Sequence, residues 1–252
     1  MKAIVLAAGK GQRLRRVVKD IPKPMIKVNG KPILEHNIEL LKRYGITDIY
    51  INLHYLPEVI SSYFNDGKKW GVNITYSYEP KILGTAGGVR KIANNWWKLE
   101  TAGKNLKSEN ILKPLPSNLG PFLVIYGDNY YNFNLAEIIK FHNEKKGIGT
   151  IGVYEKKDVS QSGILEMDNN NKIIKFIEKP KTYEIVSHLV NTGIYIFEFD
   201  VINYIPEGFS DFGKDIFPFI IKQEKLYGYV LKGKLIAIDT PELLRAVRTR
   251  RV

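Results

Sequence analysis

The chain has 252 residues, 44% of them hydrophobic and 12% aromatic, enough to bury a core in one unit or in one unit with a small annex. No apolar run approaches the roughly 20 residues that span a bilayer, and the absence of cysteine excludes disulfides and thiolate metal sites. A formal net charge of +12 draws in polyanions.

Met1-Lys2-Ala3-Ile4 runs straight into a first strand with no room for a leader, which makes a cytoplasmic location the expectation. That strand, residues 3–6, breaks into Ala7-Ala8-Gly9-Lys10-Gly11. Small residues there let a backbone approach a polyphosphate closely, and successive N–H groups in such a turn form an anion-binding concavity. Arg13 and Lys23 add two cations, and Pro22 and Pro24 restrict the backbone around Lys23. Two commoner phosphate loops do not fit. Leu14 stands where a dinucleotide-binding loop has its third glycine, and the acid due about 20 residues on is missing from Met25-Ile26-Lys27-Val28-Asn29-Gly30. A Walker loop fails because no Gly-Lys-Ser/Thr follows the glycines.

Further along, helical patterns at 34–44, 58–64, 86–95 and 135–143 alternate with β-branched runs at 49–53, 72–76 and 122–126. This alternation predicts an α/β fold, Rossmann-like, with a mostly parallel mixed sheet and helices on both faces. Ligands of such sheets bind beyond the carboxyl ends of the strands, where the glycine loop and Asp128 both fall. Residues 96–121, with three prolines and little periodicity, read as a surface loop; an oligomer contact or a flap anchored by Trp96 and Trp97 is the alternative. From 148 the rhythm changes to strands at 148–154, 163–167, 172–178, 190–197 and 227–231, separated mainly by turns, with a hairpin tip at Asp168-Asn169-Asn170-Asn171. One domain is expected, with residues 1–147 forming the phosphate-binding part and 148–252 extending the sheet into a small lobe. The one sharp basic cluster, Arg245, Arg248, Arg250 and Arg251, comes with no nucleic-acid-binding signature, so neither nucleic acid nor membrane is an expected partner. His36, His54, His142 and His188 are scattered and read as structural.

The string Leu6-Ala7-Ala8-Gly9-Lys10-Gly11-Gln12-Arg13-Leu14, with Pro22-Lys23-Pro24-Met25 and Gly30-Lys31-Pro32-Ile33, resembles the signature of the sugar-phosphate nucleotidyltransferases, which join a nucleoside triphosphate to a sugar 1-phosphate. The resemblance continues through Leu83-Gly84-Thr85-Ala86-Gly87-Gly88, Gly127-Asp128, Gly163-Ile164-Leu165, Glu178-Lys179-Pro180, Asn191-Thr192-Gly193-Ile194-Tyr195 and Asp211-Phe212-Gly213-Lys214-Asp215, and so covers nearly the whole chain. It implies a glycosyltransferase-A-like nucleotidyltransferase fold with a sugar-side lobe, Mg2+ as cofactor, and a nucleoside triphosphate and a sugar 1-phosphate as partners. A homo-oligomer stays open. The chain ends too early for the C-terminal β-helix of longer relatives. Closest in look is the short mannose-1-phosphate guanylyltransferase-like group. Uridylyl, thymidylyl or cytidylyl transfer, transfer to a non-sugar phosphate, and a catalytically silent sugar-nucleotide sensor are the alternatives.

Nucleotidyl transfer asks little covalent work of a protein, so positioning and electrostatics carry it. Arg13 suits the departing β- and γ-phosphates, because its charge persists and its fork matches phosphate oxygens. Lys23 is placed to reach the α-phosphate, and Asp128, after an apolar strand, to hold the magnesium ion. The nucleotide side comprises Leu6, Ala8, Gly9 and Gly11, and by resemblance Glu79, Gly84 and Thr85; Glu79 either pairs with the amino edge of guanine or is a solvated carboxylate. By resemblance, Gly163, Glu178, Lys179 and Asn191 hold the sugar hydroxyls and phosphate. One departure stands out. Many relatives carry Asp-Ile-Gly-Thr-Pro where this chain reads Ala237-Ile238-Asp239-Thr240-Pro241, so Ala237 replaces a metal-binding aspartate. Either Asp239 takes over as second metal ligand through a shifted backbone, or the metal has one protein carboxylate, or catalysis is impaired. A strand continuing past Ala237 would point Asp239 the same way, which favours its contributing; its alternative role is to cap a helix beginning at Pro241.

Overall fold

The structure, a computed structural model, describes residues 1–11, 14, 18–101, 119–223, 225–240 and 242–245, with the backbone alone for 97–101. In chain order the elements are β1 (Lys2–Leu6), β2 (Lys27–Val28), β3 (Lys31–Pro32), α1 (Ile33–Arg43), β4 (Asp48–Leu53), α2 (Pro57–Phe64), β5 (Asn73–Tyr78), α3 (Gly84–Thr101), β6 (Phe122–Tyr126) and β7 (Asn129–Phe133). The second half adds α4 (Leu135–Lys145), β8 (Gly149–Glu155), β9 (Gly163–Met167), β10 (Ile173–Glu178), β11 (Leu189–Phe197), α5 (Phe217–Gln223), β12 (Leu226–Val230) and β13 (Gly233–Ala237).

Among the described residues, nine strands form one sheet that runs through both halves in the order β10-β9-β11-β6-β1-β4-β5, with β8 on β11 and β12 on β8. β1 is parallel to both β4 and β6, β4 to β5, and β8 to β12, while β11 is antiparallel to β6 and β8. This is the mostly parallel mixed sheet expected of the pattern. The β1 run is apolar throughout because both its faces are covered. Ala3 and Val5 face a core with Leu34, Ile38 and Leu41 of α1, Phe64 of α2 and Ile138 of α4; Ile4 and Leu6 face the opposite core, with Val89 and Ile92 of α3, Phe217 of α5 and Tyr195 of β11. Helices therefore cover both faces.

Local chemistry sets the helix ends. Pro57 opens α2 at its first turn, and the Asn134 side chain caps α4 by accepting from the Ala136 N–H at 3.1 Å. The predicted hairpin tip is a turn in which Asp168 Oδ1 accepts from Asn170 and Lys172 N–H, each at 2.8 Å, with Asn171 at φ 63°.

Three features differ from the sequence expectation. Helix α3 runs on to Thr101 instead of stopping near 95, so Trp96 is a buried helical residue packed edge-on against Tyr50 and Phe122; residues 102–118 of the expected loop lie outside the described residues. The second half carries more than turns between its strands: a 3-10 helix at Phe199–Tyr204, a π-type turn at Phe212–Ile216 and α5. Finally, β7 and β13 form a separate antiparallel ribbon that the pattern did not predict, with Ala237 opposite Asn129.

The chain passes from β1 to β4 to β5 on one side, then returns to place β6 on the other side of β1. The carboxyl ends of β1 and β6 thus flank the switch point of the sheet, where open α/β folds make their ligand crevice.

Candidate active site

A cleft of about 350 Å³ opens at that point. Its lining includes Leu6, Ala8 and Gly9 beyond β1, Lys23, Asn52 at the end of β4, Gly84 and Thr85 at the start of α3, and Asp128 beyond β6. Gly127 N–H donates to the Leu6 carbonyl at 2.9 Å, which ties the ends of β6 and β1 together and holds Asp128 over the glycine loop. A methyl group on Gly9 would meet no protein atom within 4 Å, so packing does not account for its missing side chain; at the cleft wall, that leaves room for a ligand. Gly11 takes φ +56°, a conformation that favours glycine, and packs its α-carbon side against the Lys23 Cβ.

Lys23 is the centre of the site. Its Nζ donates to Asp128 Oδ2 at 2.8 Å and to Asp239 Oδ1 at 2.6 Å, and its side chain is only 9% exposed. Burial works against the ammonium charge, but the two carboxylates outweigh it and raise the lysine pKa above its ordinary 10.5. Its backbone is held in a 3-10 turn at Lys23–Met25, with Met25 N–H on the Pro22 carbonyl at 2.8 Å.

Asp239 does not arrive along a continuing strand. Strand β13 stops at Ala237, and Asp239 N–H returns to the Ala237 carbonyl at 3.0 Å, a tight turn that swings the carboxylate onto Lys23. The helix-cap alternative goes to its neighbour, since Thr240 Oγ1 accepts from Leu243 N–H at 3.3 Å. The unpredicted β7–β13 ribbon delivers both acids: Asp128 precedes β7, and Asp239 follows β13.

The structure corrects one of the two sequence expectations for Glu79. It is 3% exposed, so it is no solvated carboxylate, and its oxygens face the protein. Asn52 Nδ2 donates to Oε1 at 2.8 Å and Leu83 N–H to Oε2 at 3.0 Å, while Asn52 Oδ1 accepts from Ala7 N–H at 2.7 Å. Glu79 and Asn52 together brace two walls of the cleft, and the Ala7 N–H is committed to that brace instead of the expected anion concavity. Gly88 makes space for it, since a methyl there would lie 2.7 Å from Asn52 Nδ2 and 2.8 Å from Glu79 Oε1.

The start of α3 is stitched to the second half of the chain. Ala86 and Gly87 N–H donate to the Ser210 carbonyl, and Thr85 N–H and Oγ1 donate to Asp211 Oδ1 at 3.1 and 3.2 Å. Gly84, at φ +75°, has no room for a side chain because the Ser210 carbonyl lies against it. The exposed ring of Phe209, with Ile82 and Asp211, also belongs to the lining. Sequence reasoning assigned roles to none of these; for Asp211 the only signal was its place in the Asp211-Phe212-Gly213 motif.

Gly163, Glu178, Lys179 and Asn191 are not in the cleft lining itself. Glu178 Oε2 fits a slot between two glycines, 2.8 Å from where a Gly163 methyl would be and 2.7 Å from a Gly213 one. Burial raises the Glu178 pKa, Lys179 and Lys214 oppose this, and nearby Asp211 adds to it. Lys179 is exposed at φ 50°, with its N–H on the Ser162 carbonyl at 3.2 Å. Asn191 connects to the cleft through buried hydroxyls: its Nδ2 donates to the Tyr195 hydroxyl at 2.8 Å, which donates to the Tyr126 hydroxyl at 3.1 Å, and Tyr126 shares a hydrogen bond with Thr85. Burial pushes both phenol pKa values up, so the chain stays protonated. Arg13 lies outside the described residues. The four histidines are engaged structurally: His36 with the Val28 carbonyl, His54 with the Glu79 carbonyl, His142 with Thr150 and Glu198, and His188 with the Lys156 carbonyl.

Against this geometry, the nucleotidyl transferase family model matches residues 2–235. A UTP–glucose-1-phosphate uridylyltransferase of Synechocystis is 40% identical over 233 residues, covering 88% of this chain and 55% of that protein. A mannose-1-phosphate guanyltransferase of Saccharomyces cerevisiae is 33% identical over 245 residues, covering 96% and 62%. The chain thus spans little more than half the length of these relatives. A putative glucose-1-phosphate thymidylyltransferase from Bacillus anthracis, in complex with a sucrose, shares the fold with a TM-score of 0.82 at 24% identity, covering 100% of this chain and 95% of that one. HddC from Yersinia pseudotuberculosis complexed with GMP-PN has a TM-score of 0.74 at 25% identity, covering 98% and 97%. Among the described residues no helix is long and apolar enough to cross a membrane.

Proposed function

The chain belongs to the nucleotidyl transferase family, and from that premise we propose that it joins a nucleoside triphosphate to a sugar 1-phosphate. A phosphate oxygen of the sugar 1-phosphate attacks the α-phosphorus, the bond to the β-phosphate breaks, and pyrophosphate leaves. The observation that carries this reading is the meeting of Lys23, Asp128 and Asp239 beside the glycine loop, where a triphosphate on Ala8 and Gly9 puts its phosphates against one cation and two carboxylates. Lys23 orients and neutralises the α-phosphate, and Arg13 takes the departing charge.

The donor set suits magnesium. Two carboxylate oxygens already converge on a cation, and hard oxygen ligands with one or two protein carboxylates are what that ion takes. Asp128 and Asp239 are the residues that would hold it. Bound there, it would supply charge neutralisation on the phosphates. Among the described residues no group of three or more His, Cys, Asp or Glu side chains converges, which leaves phosphate and water oxygens to complete the shell.

On the sugar side, Glu178 accepts from hydroxyls and Lys179 meets the attacking phosphate, with Asn191 placed by its tyrosine chain. Two donors have support: uridylyl transfer to glucose 1-phosphate from the relative at 40% identity, and guanylyl transfer to mannose 1-phosphate from the relative matching 96% of the chain. The inward-turned Glu79 removes one argument for guanine. A silent sensor had Ala237 as its only ground, and a second carboxylate on Lys23, that of Asp239, speaks for the enzyme reading instead. Pyrophosphate release from UTP, GTP, dTTP and CTP against glucose 1-phosphate, mannose 1-phosphate and phosphocholine tests the reading. Turnover with no sugar phosphate, while triphosphate still binds, would refute it.

A further inference from the structure

We infer that Lys23 is a built-in counter-ion for the carboxylate pair, holding Asp128 and Asp239 together before substrate arrives and competing with a divalent cation until a triphosphate draws the ammonium away. The inference rests on reading those two acids as the metal ligands.

Three observations lead to it. The ammonium is shared between carboxylates 105 and 216 residues away along the chain, which the end of the β7–β13 ribbon sets side by side on one nitrogen. Two carboxylates facing one ammonium are only half neutralised, and a doubly charged cation would balance them fully. Lys23 is the basic side chain that bonds to both acids, so removing its charge takes away the neutralisation that they share.

The root of Lys23 is also well fixed while its head is long and movable. Pro22 and Pro24 bracket it, Ile26 N–H closes on its carbonyl at 3.1 Å, and Gly11 packs on its Cβ. A fixed root with a flexible four-carbon stem lets the same nitrogen move from carboxylate to phosphate without a backbone change. Nucleotide and metal would then enter together: the triphosphate offers Lys23 a new anionic partner, and the departing ammonium frees the acids for the cation.

The test is Mn2+ binding to the nucleotide-free protein, followed by the electron paramagnetic resonance of free Mn2+. Lys23→Met and Lys23→Gln are expected to bind Mn2+ tighter than the parent by about tenfold or more, since a like charge within hydrogen-bond range of the site is removed. Lys23→Arg, which keeps the charge, is expected to bind as weakly as the parent. Adding Asp128→Asn to Lys23→Met is expected to abolish the gain. Thermal melts supply a second readout: Mn2+ raises the melting temperature of Lys23→Met more than that of the parent, and a variant that folds only with Mn2+ present supports the inference as well. Neutral variants that bind Mn2+ no tighter than the parent, or that stay unfolded with Mn2+, overturn it. That failure is separable from failure of the metal reading, which Asp128→Asn with undiminished turnover in the parent background would expose.

Discussion

Asn52→Ala should both loosen the protein and blunt its grip on the triphosphate. Asn52 is 2% exposed, and its amide is the single link between Ala7 N–H, at 2.7 Å, and Glu79 Oε1, at 2.8 Å. Alanine leaves a buried backbone donor unpaired, which costs about 1–3 kcal/mol, and removes a bond to a carboxylate worth about 1.5–3 kcal/mol. The two losses sum to about 2.5–6 kcal/mol. For a chain of this size that is a fall of roughly 5–24 °C in melting temperature. Because the link joins the loop after β1 to the loop after β5, both walls of the nucleotide side relax, and binding of the triphosphate weakens together with stability. Urea denaturation gives the stability term, and equilibrium titration with the triphosphate gives the binding term. A loss below about 1 kcal/mol with unchanged affinity would show that the brace is not what holds the cleft.

Asp128→Asn should lower kcat by about a hundredfold or more, because a lost metal carboxylate is felt chiefly in the transition state. It should lower the melting temperature as well, since the buried Lys23 ammonium loses one of its two carboxylates; steady-state kinetics and a thermal melt check both halves. Gly163→Ala would set a methyl 2.8 Å from Glu178 Oε2 and 2.6 Å from the Phe176 ring, so it should raise KM for the sugar 1-phosphate several-fold while leaving KM for the triphosphate unchanged. Glu178→Gln should stabilise the protein at neutral pH. Burial raises the folded-state pKa of Glu178 above its ordinary 4.5, so its favourable share is present below about pH 4.5 and is lost as the pH rises through the folded value. The gain from glutamine should therefore appear in melts at pH 7 and vanish below about pH 4.5, and a gain that persists in acid would contradict the assignment. The same variant should bind the sugar 1-phosphate more weakly.

Much of the first half was legible in the sequence because its signals are local. The apolar runs of β1 and β6 are those of strands covered on both faces, and the helical spacing of Leu34, Ile38 and Leu41 places α1 on one of them. The β7–β13 ribbon was not legible. Asn129-Tyr130-Tyr131-Asn132-Phe133 has too few β-branched residues to announce a strand, and it is paired by Gly233–Ala237, some hundred residues away. Glu79 misled for a similar reason: a charged residue beside a proline reads as exposed, and only the folded chain supplies the Asn52 amide and the Leu83 N–H that make its burial tolerable.

By itself, the sequence determined the alternation of strand and helix, the glycine loop at the end of the first strand, and the identities of the cation and acids at the site. These follow from propensity and periodicity, which act over a few residues. The tertiary structure alone decided that Lys23, Asp128 and Asp239 meet at one point, and that a turn after Ala237 brings the Asp239 carboxylate onto Lys23. A local pattern sets which way a side chain faces, but not which distant side chain it will face; that depends on how the sheet and the ribbon pair across more than a hundred residues.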